Sequence, residues 1–189
     1  MVIRYIGFFL CMLLSVSVLA QAPQENKSHH DVDNKKALQN AEAFAKANPK
    51  NVDAFINLTR KRIQSGKAKS AVDSAEQAVE LAPNNAQAQF WLGNAYGTYI
   101  GEVGMLSKVS IAPKLRDAFQ ATVKLDPNNL DARESLIQFY LQAPSMVGGG
   151  KDKALIQVQE IAKRDPARGH LSQAQIYLAE KNNTAALKS

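Results

Sequence analysis

The sequence contains one cysteine and one tryptophan among 189 residues, with five tyrosines and seven phenylalanines. Glycine and proline together account for only 17 residues, which excludes collagen-like and low-complexity chains. The GxSxG, SxxK, HExxH and GxGxxG motifs are absent, and the carboxylates are scattered along helix faces without a pair that suggests burial. We therefore expect no catalytic residue, no cofactor and no metal site, with an enzyme of unrecognised type as the rival interpretation.

The first twenty residues have the pattern of an export signal. Arg4 supplies positive charge, an apolar run follows, and Val18 and Ala20 are small enough for the −3 and −1 positions of a signal-peptidase site. We expect cleavage after residue 20 and a periplasmic mature chain that starts at Gln21 and lacks Cys11. The alternative is an uncleaved anchor, because residues 5–24 are uncharged and long enough to span a bilayer.

Residues 21–33 are polar and lack apolar periodicity, which predicts a flexible tail before a folded domain at 34–189. The tail contains His29, His30, Asp31 and Asp33, which we interpret as solvated side chains and not as a specific metal site. Outside the tail only His170 remains, so folded positions cannot supply a histidine-based zinc site.

Four similar joints, at Pro49, Pro83, Pro127 and Pro166, divide the rest of the chain at intervals of 34, 44 and 39 residues. Each proline ends a helix, because it lacks an N–H donor and disfavours helix at the residue before it. Asn51, Asn85 and Asn129 follow the first three prolines at the spacing of a helix N-cap, and Asp53 and Asp131 then fall in a first turn, which favours negative charge. The fourth joint lacks the asparagine.

Between the joints the apolar residues have helical spacing. Phe55 and Leu58 share one face of a helix over 52–65, and Ser65-Gly66 makes a turn into a second helix over 67–81. The second helix carries a stripe of small residues that permits close packing: Ala68, Ala71, Val72, Ala75, Ala78, Val79 and Leu81. The pattern predicts antiparallel helix pairs.

On these residues the chain resembles a tetratricopeptide repeat protein from about Asn34 onward. The family pattern of aromatic, Leu-Gly, Tyr, Ala, aromatic, Ala and Pro is met in part by three repeats: Phe55, Leu58, Ala71, Ala78 and Pro83; Leu92, Gly93, Tyr96, Phe119 and Pro127; Leu136, Tyr140, Ala154, Ile161 and Pro166. The resemblance implies an all-α, right-handed α-solenoid of helix pairs with a concave face that holds a protein or an extended peptide. It implies no specific activity.

Two insertions depart from the family period. Ten extra residues lie within 97–110, which we interpret as two longer helix arms with Ser110 capping the second; a flexible binding loop is the alternative. Residues 142–151 add five, including Gly148-Gly149-Gly150. We interpret them as a long turn, because the GK[ST] ending and preceding strand of a phosphate-binding loop are missing.

The resemblance also implies which residues line the groove. They are offset from the core face of the first helix of each pair: Asp53, Ile56 and Arg60; Gln87, Phe90 and Asn94; Asp131, Glu134 and Gln138. Phe90 is the expected anchor for a peptide, with packing beneath the long arms as the alternative. The family's clamp for a C-terminal carboxylate needs more Lys, Arg and Asn than this, so we expect a ligand of mixed charge with its acidic part near Arg60.

A basic patch offers a second hypothesis. Five cations surround the turn of the first complete pair: Arg60, Lys61, Arg62, Lys67 and Lys69. An exported protein rarely meets nucleic acid, and no aromatic platform is interleaved, so we expect no nucleic-acid partner. The alternative function is an envelope accessory protein that binds anionic cell-wall polymer or lipid. At the C-terminus, we expect a last helix over about 168–181 to cap the stack. Its apolar side carries Leu171, Ala174, Ile176 and Tyr177, and its outer side Ser172, Gln173, Gln175 and Glu180.

Overall fold

A computed structural model of the chain describes the backbone of residues 24–186 and the side chains of residues 32–179. This part contains eight α-helices and no strand, which confirms the all-α prediction. The helices are α1 (Gln24–Ala47), α2 (Val52–Gln64), α3 (Ala68–Leu81), α4 (Ala86–Glu102), α5 (Met105–Leu125), α6 (Leu130–Gln142), α7 (Lys151–Ala162) and α8 (Pro166–Ala186). The predicted export signal at residues 1–20 lies outside the described residues, as do the side chains of His29, His30 and Asp31.

Helix α1 begins at Gln24, so most of the segment predicted as a flexible tail is helical. Glycine and proline are absent from residues 24–48, and the segment is rich in Gln, Glu, Lys and Ala, which have favourable helix propensities. The sequence predicted a tail because this segment lacks apolar periodicity. The periodicity begins only with Leu38, which is buried.

The predicted asparagine caps are confirmed. The side-chain oxygens of Asn51, Asn85 and Asn129 each accept a hydrogen bond from a backbone N–H in the first turn of the following helix, over 2.9–3.1 Å. At the fourth joint the Asp165 carboxylate accepts from the Arg168 N–H at 3.0 Å. Aspartate thus replaces asparagine as the cap there, and α8 starts with Pro166, where a missing N–H costs nothing.

The three helix pairs α2/α3, α4/α5 and α6/α7 pack in series, with α1 against α2 and α8 against α7. Phe55, Leu58 and the small-residue stripe of α3 from Ala68 to Ala78 are buried as predicted, whereas Val79 is half-buried and Leu81 is exposed because the helix ends there. Gly66, with φ of +66°, makes the turn between α2 and α3 in a conformation that favours glycine.

The first insertion forms longer helices, which confirms that interpretation over the flexible loop. Helix α4 continues to Glu102, and α5 begins at Met105. The expectation that Ser110 caps α5 is wrong, because the helix already starts one and a half turns earlier and the Ser110 hydroxyl donates to the Ser107 carbonyl inside it. Gly93 of α4 lies against Phe119, where a Cβ atom would come within 2.7 Å of the ring.

The second insertion forms a 3₁₀ turn (Ser145–Val147) and the glycine run. The backbone N–H groups of Gly148, Gly149 and Gly150 donate to the carbonyls of Ser145, Pro144 and Tyr140, over 2.9–3.1 Å. A phosphate cradle needs such donors free and pointing outward. The glycine run is therefore a closed turn, as predicted.

The expected orientation of the last helix is wrong. Ile176 is buried as expected, but Ser172, expected on the outer side, is buried beside it, and Leu171 and Tyr177, expected on the apolar side, are 67% and 62% exposed. Gly169 explains the rotation, since a Cβ atom there would lie 2.5 Å from that of Ala162, so α8 approaches α7 along the face of Gly169, Ser172 and Ile176. The Tyr177 ring is outside the core, and α8 does not present a polar cap.

The helices form two rows. Helix α2 packs against α4 and α6 against α8, whereas neither α4 and α6 nor any two of α3, α5 and α7 are in substantial contact. Helices α2, α4, α6 and α8 form the inner row, and α1, α3, α5 and α7 form the outer row. None of the helices within residues 24–186 is both long and apolar enough to span a bilayer.

Candidate peptide-binding groove

The nine predicted groove residues occupy equivalent places on the inner row. They lie four, seven and eleven positions after the proline that precedes each helix, on α2, α4 and α6. The structure divides them into two halves with different surroundings, the α2–α4 half and the α6–α8 half. No hydrogen bond or ion pair joins these halves among the described side chains.

A row of three side chains forms the centre of the α2–α4 half. The Arg60 guanidinium lies over the Trp91 ring, 5.3 Å from its centroid. Trp91 meets Phe90 edge to face, with centroids 5.6 Å apart and an interplanar angle of 74°. Arg60 is exposed and has no hydrogen bond or ion pair with a described residue, so its N–H donors are free for a ligand.

Phe90 packs beneath the long arms, as the alternative interpretation expected. Its ring is half-buried and lies 6.1 Å from the Phe119 ring of α5, while its use as an anchor for a peptide stays a prediction. Asn94 donates its side-chain amide to the Phe90 carbonyl at 2.8 Å, so that its oxygen is the atom left for a ligand. Ile56 is only 8% exposed and belongs to the core cluster against which Trp91 packs. It therefore supports the groove from below and is too buried to contact a ligand.

Trp91 is the residue that sequence reasoning missed in this half. It lies between the Phe90 and Leu92 positions of the repeat pattern, where the family has no fixed aromatic. Its position one residue after a predicted groove position could have signalled partial exposure on the same face. Asp53 and Gln87, both exposed, flank the row at the N-terminal ends of α2 and α4.

The α6–α8 half is closed by ion pairs. The Arg168 guanidinium of α8 donates to the Glu134 carboxylate at 2.9 Å and to the Asp131 carboxylate at 2.7 Å. Hydrogen bonds to these two carboxylates raise the pKa of Arg168 further above its already high value. Gln138 donates to Gln175 of α8 at 3.0 Å. The acidic end expected from Asp131 and Glu134 is therefore largely neutralised by a residue that the sequence analysis did not place in the groove.

The five cations of the predicted basic patch contact different neighbours. Arg60 lies over Trp91, while Arg62 donates to the Ser70 carbonyl at 2.8 Å and lies 4.0 Å from the Glu42 carboxylate. Lys69 pairs with Asp73, and Lys61 donates to Gln64. Lys67, just before α3, is exposed. Two of the five thus already have carboxylate partners, which weakens the patch as a surface for anionic polymer.

The pKa values shifted within the described residues belong to structural contacts, such as that of Tyr96, which burial and its hydrogen bond to Glu76 raise. No group of three His, Cys, Asp or Glu side chains within the described part could hold a metal. A cleft of about 650 Å³ between α1, α2 and α3 is lined by Glu42, Asp73, Glu76 and Arg62 and shares no residue with the groove.

Comparison with known proteins agrees with this geometry. The sequence profile of the tetratricopeptide repeat matches residues 60–96, the second half of one pair and the start of the next. The chain has the tetratricopeptide repeat fold. No curated protein matches the sequence significantly.

Solved tetratricopeptide repeat structures superpose over most of the chain. A crystal structure of MamA is 23% identical and covers 86% of this chain and 88% of its own, with a TM-score of 0.61. TTC0263, a thermophilic TPR protein in Thermus thermophilus, is 16% identical over 82% of both chains, with a TM-score of 0.62. Naa15/Naa10 bound to HypK-THB reaches a TM-score of 0.57 at 19% identity, and the match spans 22% of that longer chain. The all-helical solenoid predicted from the repeats is thus confirmed.

Proposed function

We propose that this chain is an exported, non-enzymatic scaffold that holds an extended segment of another protein in its inner groove, mainly in the α2–α4 half. The observation that carries the proposal is the Arg60–Trp91–Phe90 row, in which a free cation lies over a partly exposed ring that meets a second one edge to face. A stack of helix pairs forms such a continuous concave surface as a consequence of its curvature, and protein binding is the usual task of that surface.

The chemistry of this row defines the ligand. The unpaired Arg60 guanidinium favours a carboxylate, and the Trp91 and Phe90 rings favour an apolar or aromatic side chain close to it. The oxygen of Asn94 accepts from a backbone or side-chain N–H. We infer a partner segment with an acidic residue beside a large apolar one, lying in extended conformation across α2 and α4.

Charge reversal at Arg60 tests the proposal, with Lys61 as the matched control. The residues are neighbours on α2, yet Lys61 bonds to Gln64 within the helix and Arg60 lies over Trp91. Peptides selected on the wild-type protein from a random display library should bind Arg60→Glu at least about tenfold more weakly, because a carboxylate would then face the ligand's own. Lys61→Glu should bind as wild type does. Equal binding by both variants, each with an unchanged thermal melt, would exclude the α2–α4 half.

Export is the second part of the proposal and rests on residues 1–20. The measurement is the intact mass of the protein that cells accumulate, together with its release by osmotic shock. A mature chain that starts at Gln21 in the released fraction supports periplasmic export. A mass that retains residues 1–20 in a membrane fraction supports the uncleaved anchor instead.

A further inference from the structure

The two ends of the stack expose positions that every complete helix pair covers. The residue five positions before a joint proline is Ala78, Thr122 or Ile161 in the three complete pairs, and its exposure is 0–1%. The same position in α1 is Phe44, a large aromatic residue, and it is 52% exposed. Helix α1 belongs to the outer row, and no inner-row helix precedes it among the described residues.

Helix α8 shows the converse at the other end. The residue five positions after a joint proline is Ala54, Ala88 or Ala132 in the complete pairs, again 0–1% exposed, whereas in α8 it is Leu171, at 67%. Twelve positions after the proline, Ala95 and Phe139 are buried in α4 and α6, but Leu178 is 60% exposed in α8. Helix α8 belongs to the inner row, and no outer-row helix follows it in the described part of the chain.

The two open ends are complementary. Within residues 24–186, α8 has no outer partner, and α1 is an outer helix without an inner one. Both are longer than α2 and α3, at 21 and 24 residues against 13 and 14. The surface that would complete α8 is therefore already present on α1 of a second copy, and solenoids that end in solution normally place polar residues on these faces instead.

We propose that copies of this chain associate head to tail, with α8 of one copy and α1 of the next forming a fourth complete helix pair. Leu171 and Leu178 pack against the helix that carries Phe44. Such a contact is heterologous and repeats from copy to copy, so the product is an open chain of molecules unless the rotation closes a ring.

Head-to-tail association also extends the groove. Tyr177 lies eleven positions after Pro166, the offset that Arg60, Asn94 and Gln138 have in the preceding pairs, and it is 62% exposed. In the assembled pair the Tyr177 ring joins the inner face, between Gln138 of its own copy and Arg60 of the next. The exposed apolar end of α8, where a polar cap was expected, thus continues the groove into the next copy.

Two charge variants and their mixture test the proposal. The probe is the protein in the form that cells accumulate, measured by sedimentation velocity over a range of concentrations. The wild-type chain should form species larger than its monomer as its concentration rises. Leu171→Glu destroys the α8 end and Phe44→Glu the α1 end, so each variant alone should associate at least about tenfold more weakly, because burying an unpaired charge is costly.

The mixture distinguishes head-to-tail contact from other arrangements. Each variant keeps the end that the other has lost, so an equimolar mixture should form a one-to-one dimer and nothing larger. Leu106→Glu, at a 91% exposed position on α5 far from both ends, is the control and should assemble as wild type does.

Three outcomes would overturn the proposal. Loss of assembly in only one single variant would indicate contact between like ends. A mixture that stays monomeric would exclude the α8–α1 pair. A wild-type chain that stays monomeric at all concentrations would exclude association between copies. Thermal melts of all variants identify any that have lost their fold.

Discussion

In the α2–α4 and α6–α8 halves of the groove, side chains at equivalent repeat positions differ in whether they already have a partner. In the first half, the residue eleven positions after the joint proline is Arg60, whose cation lies over an aromatic ring and has no carboxylate partner among the described residues. In the second half the equivalent residue, Gln138, donates to Gln175 of α8, and Asp131 and Glu134 are both held by Arg168. The repeat backbone thus determines where a groove side chain lies, and the neighbouring inner helix determines whether its charge is free for a ligand.

The largest effect that we predict on the α2–α4 half comes from Gly93→Ala. The added Cβ would meet the Phe119 ring at 2.7 Å, and Phe119 supports Phe90. Overpacking of this kind costs about 1–3 kcal/mol. Gly97→Ala is the matched control one turn later, where the nearest atom lies 3.6 Å away, and it should be neutral or stabilising by up to about 1 kcal/mol. Urea unfolding measures both, and equal stability of the variants would contradict the close approach.

The next effect concerns the ion pairs of the α6–α8 half. Arg168→Ala should lower the free energy of unfolding by no more than about 1 kcal/mol, because its side chain is 34% exposed and solvent screens the pairs. The loss should shrink in 1 M NaCl. A double-mutant cycle with Asp131→Ala measures the coupling, and a coupling of zero at low salt would mean that Arg168 does not hold this half closed.

Alkaline pH should act on the first half through Tyr96. Burial and the 2.6 Å hydrogen bond to Glu76 raise the pKa of Tyr96, so the folded chain retains this proton where the unfolded chain releases it. The stabilisation is complete below pH 10 and is lost as the pH rises further. Tyr96→Phe should cost about 1 kcal/mol at pH 7 and less at pH 11. A loss of stability in Tyr96→Phe that grows with pH would contradict this account. Tyr140→Phe, at the equivalent position of α6, is the control for the loss of a hydroxyl at pH 7.

The smallest effect should be the acid sensitivity of the second half. Hydrogen bonds from Lys163 and Arg164 lower the pKa of Glu160 from its ordinary value of 4.5 to about 2. A lowered pKa contributes stability above pH 4.5 that is lost as the pH falls towards 2. Glu160→Gln should flatten the dependence of stability on pH in that window, whereas Glu102→Gln, at an exposed site without an ion pair among the described residues, should not. Identical pH profiles for wild type and Glu160→Gln would contradict the contact.

Sequence predicted the repeat frame well because its signals are local. Pro83 and Asn85, for example, end one helix and cap the next through chemistry within a few residues. The rotation of α8 could not be predicted in this way, because it depends on how closely Gly169 approaches Ala162, a contact between two helices. Arg168 was missed for a similar reason: it pairs with Asp131, 37 positions earlier in the chain.

Trp91 permits the most direct test of the central claim, that the α2–α4 half binds the ligand. It is the only tryptophan of the chain and lies between Arg60 and Phe90 in the groove. The measurement is Trp91 fluorescence during titration with the peptides selected on the wild-type protein. We predict a saturable change in emission at the concentrations at which the peptides bind, and its loss in Arg60→Glu but not in Lys61→Glu. Peptides that bind while the Trp91 emission stays unchanged would contradict the account.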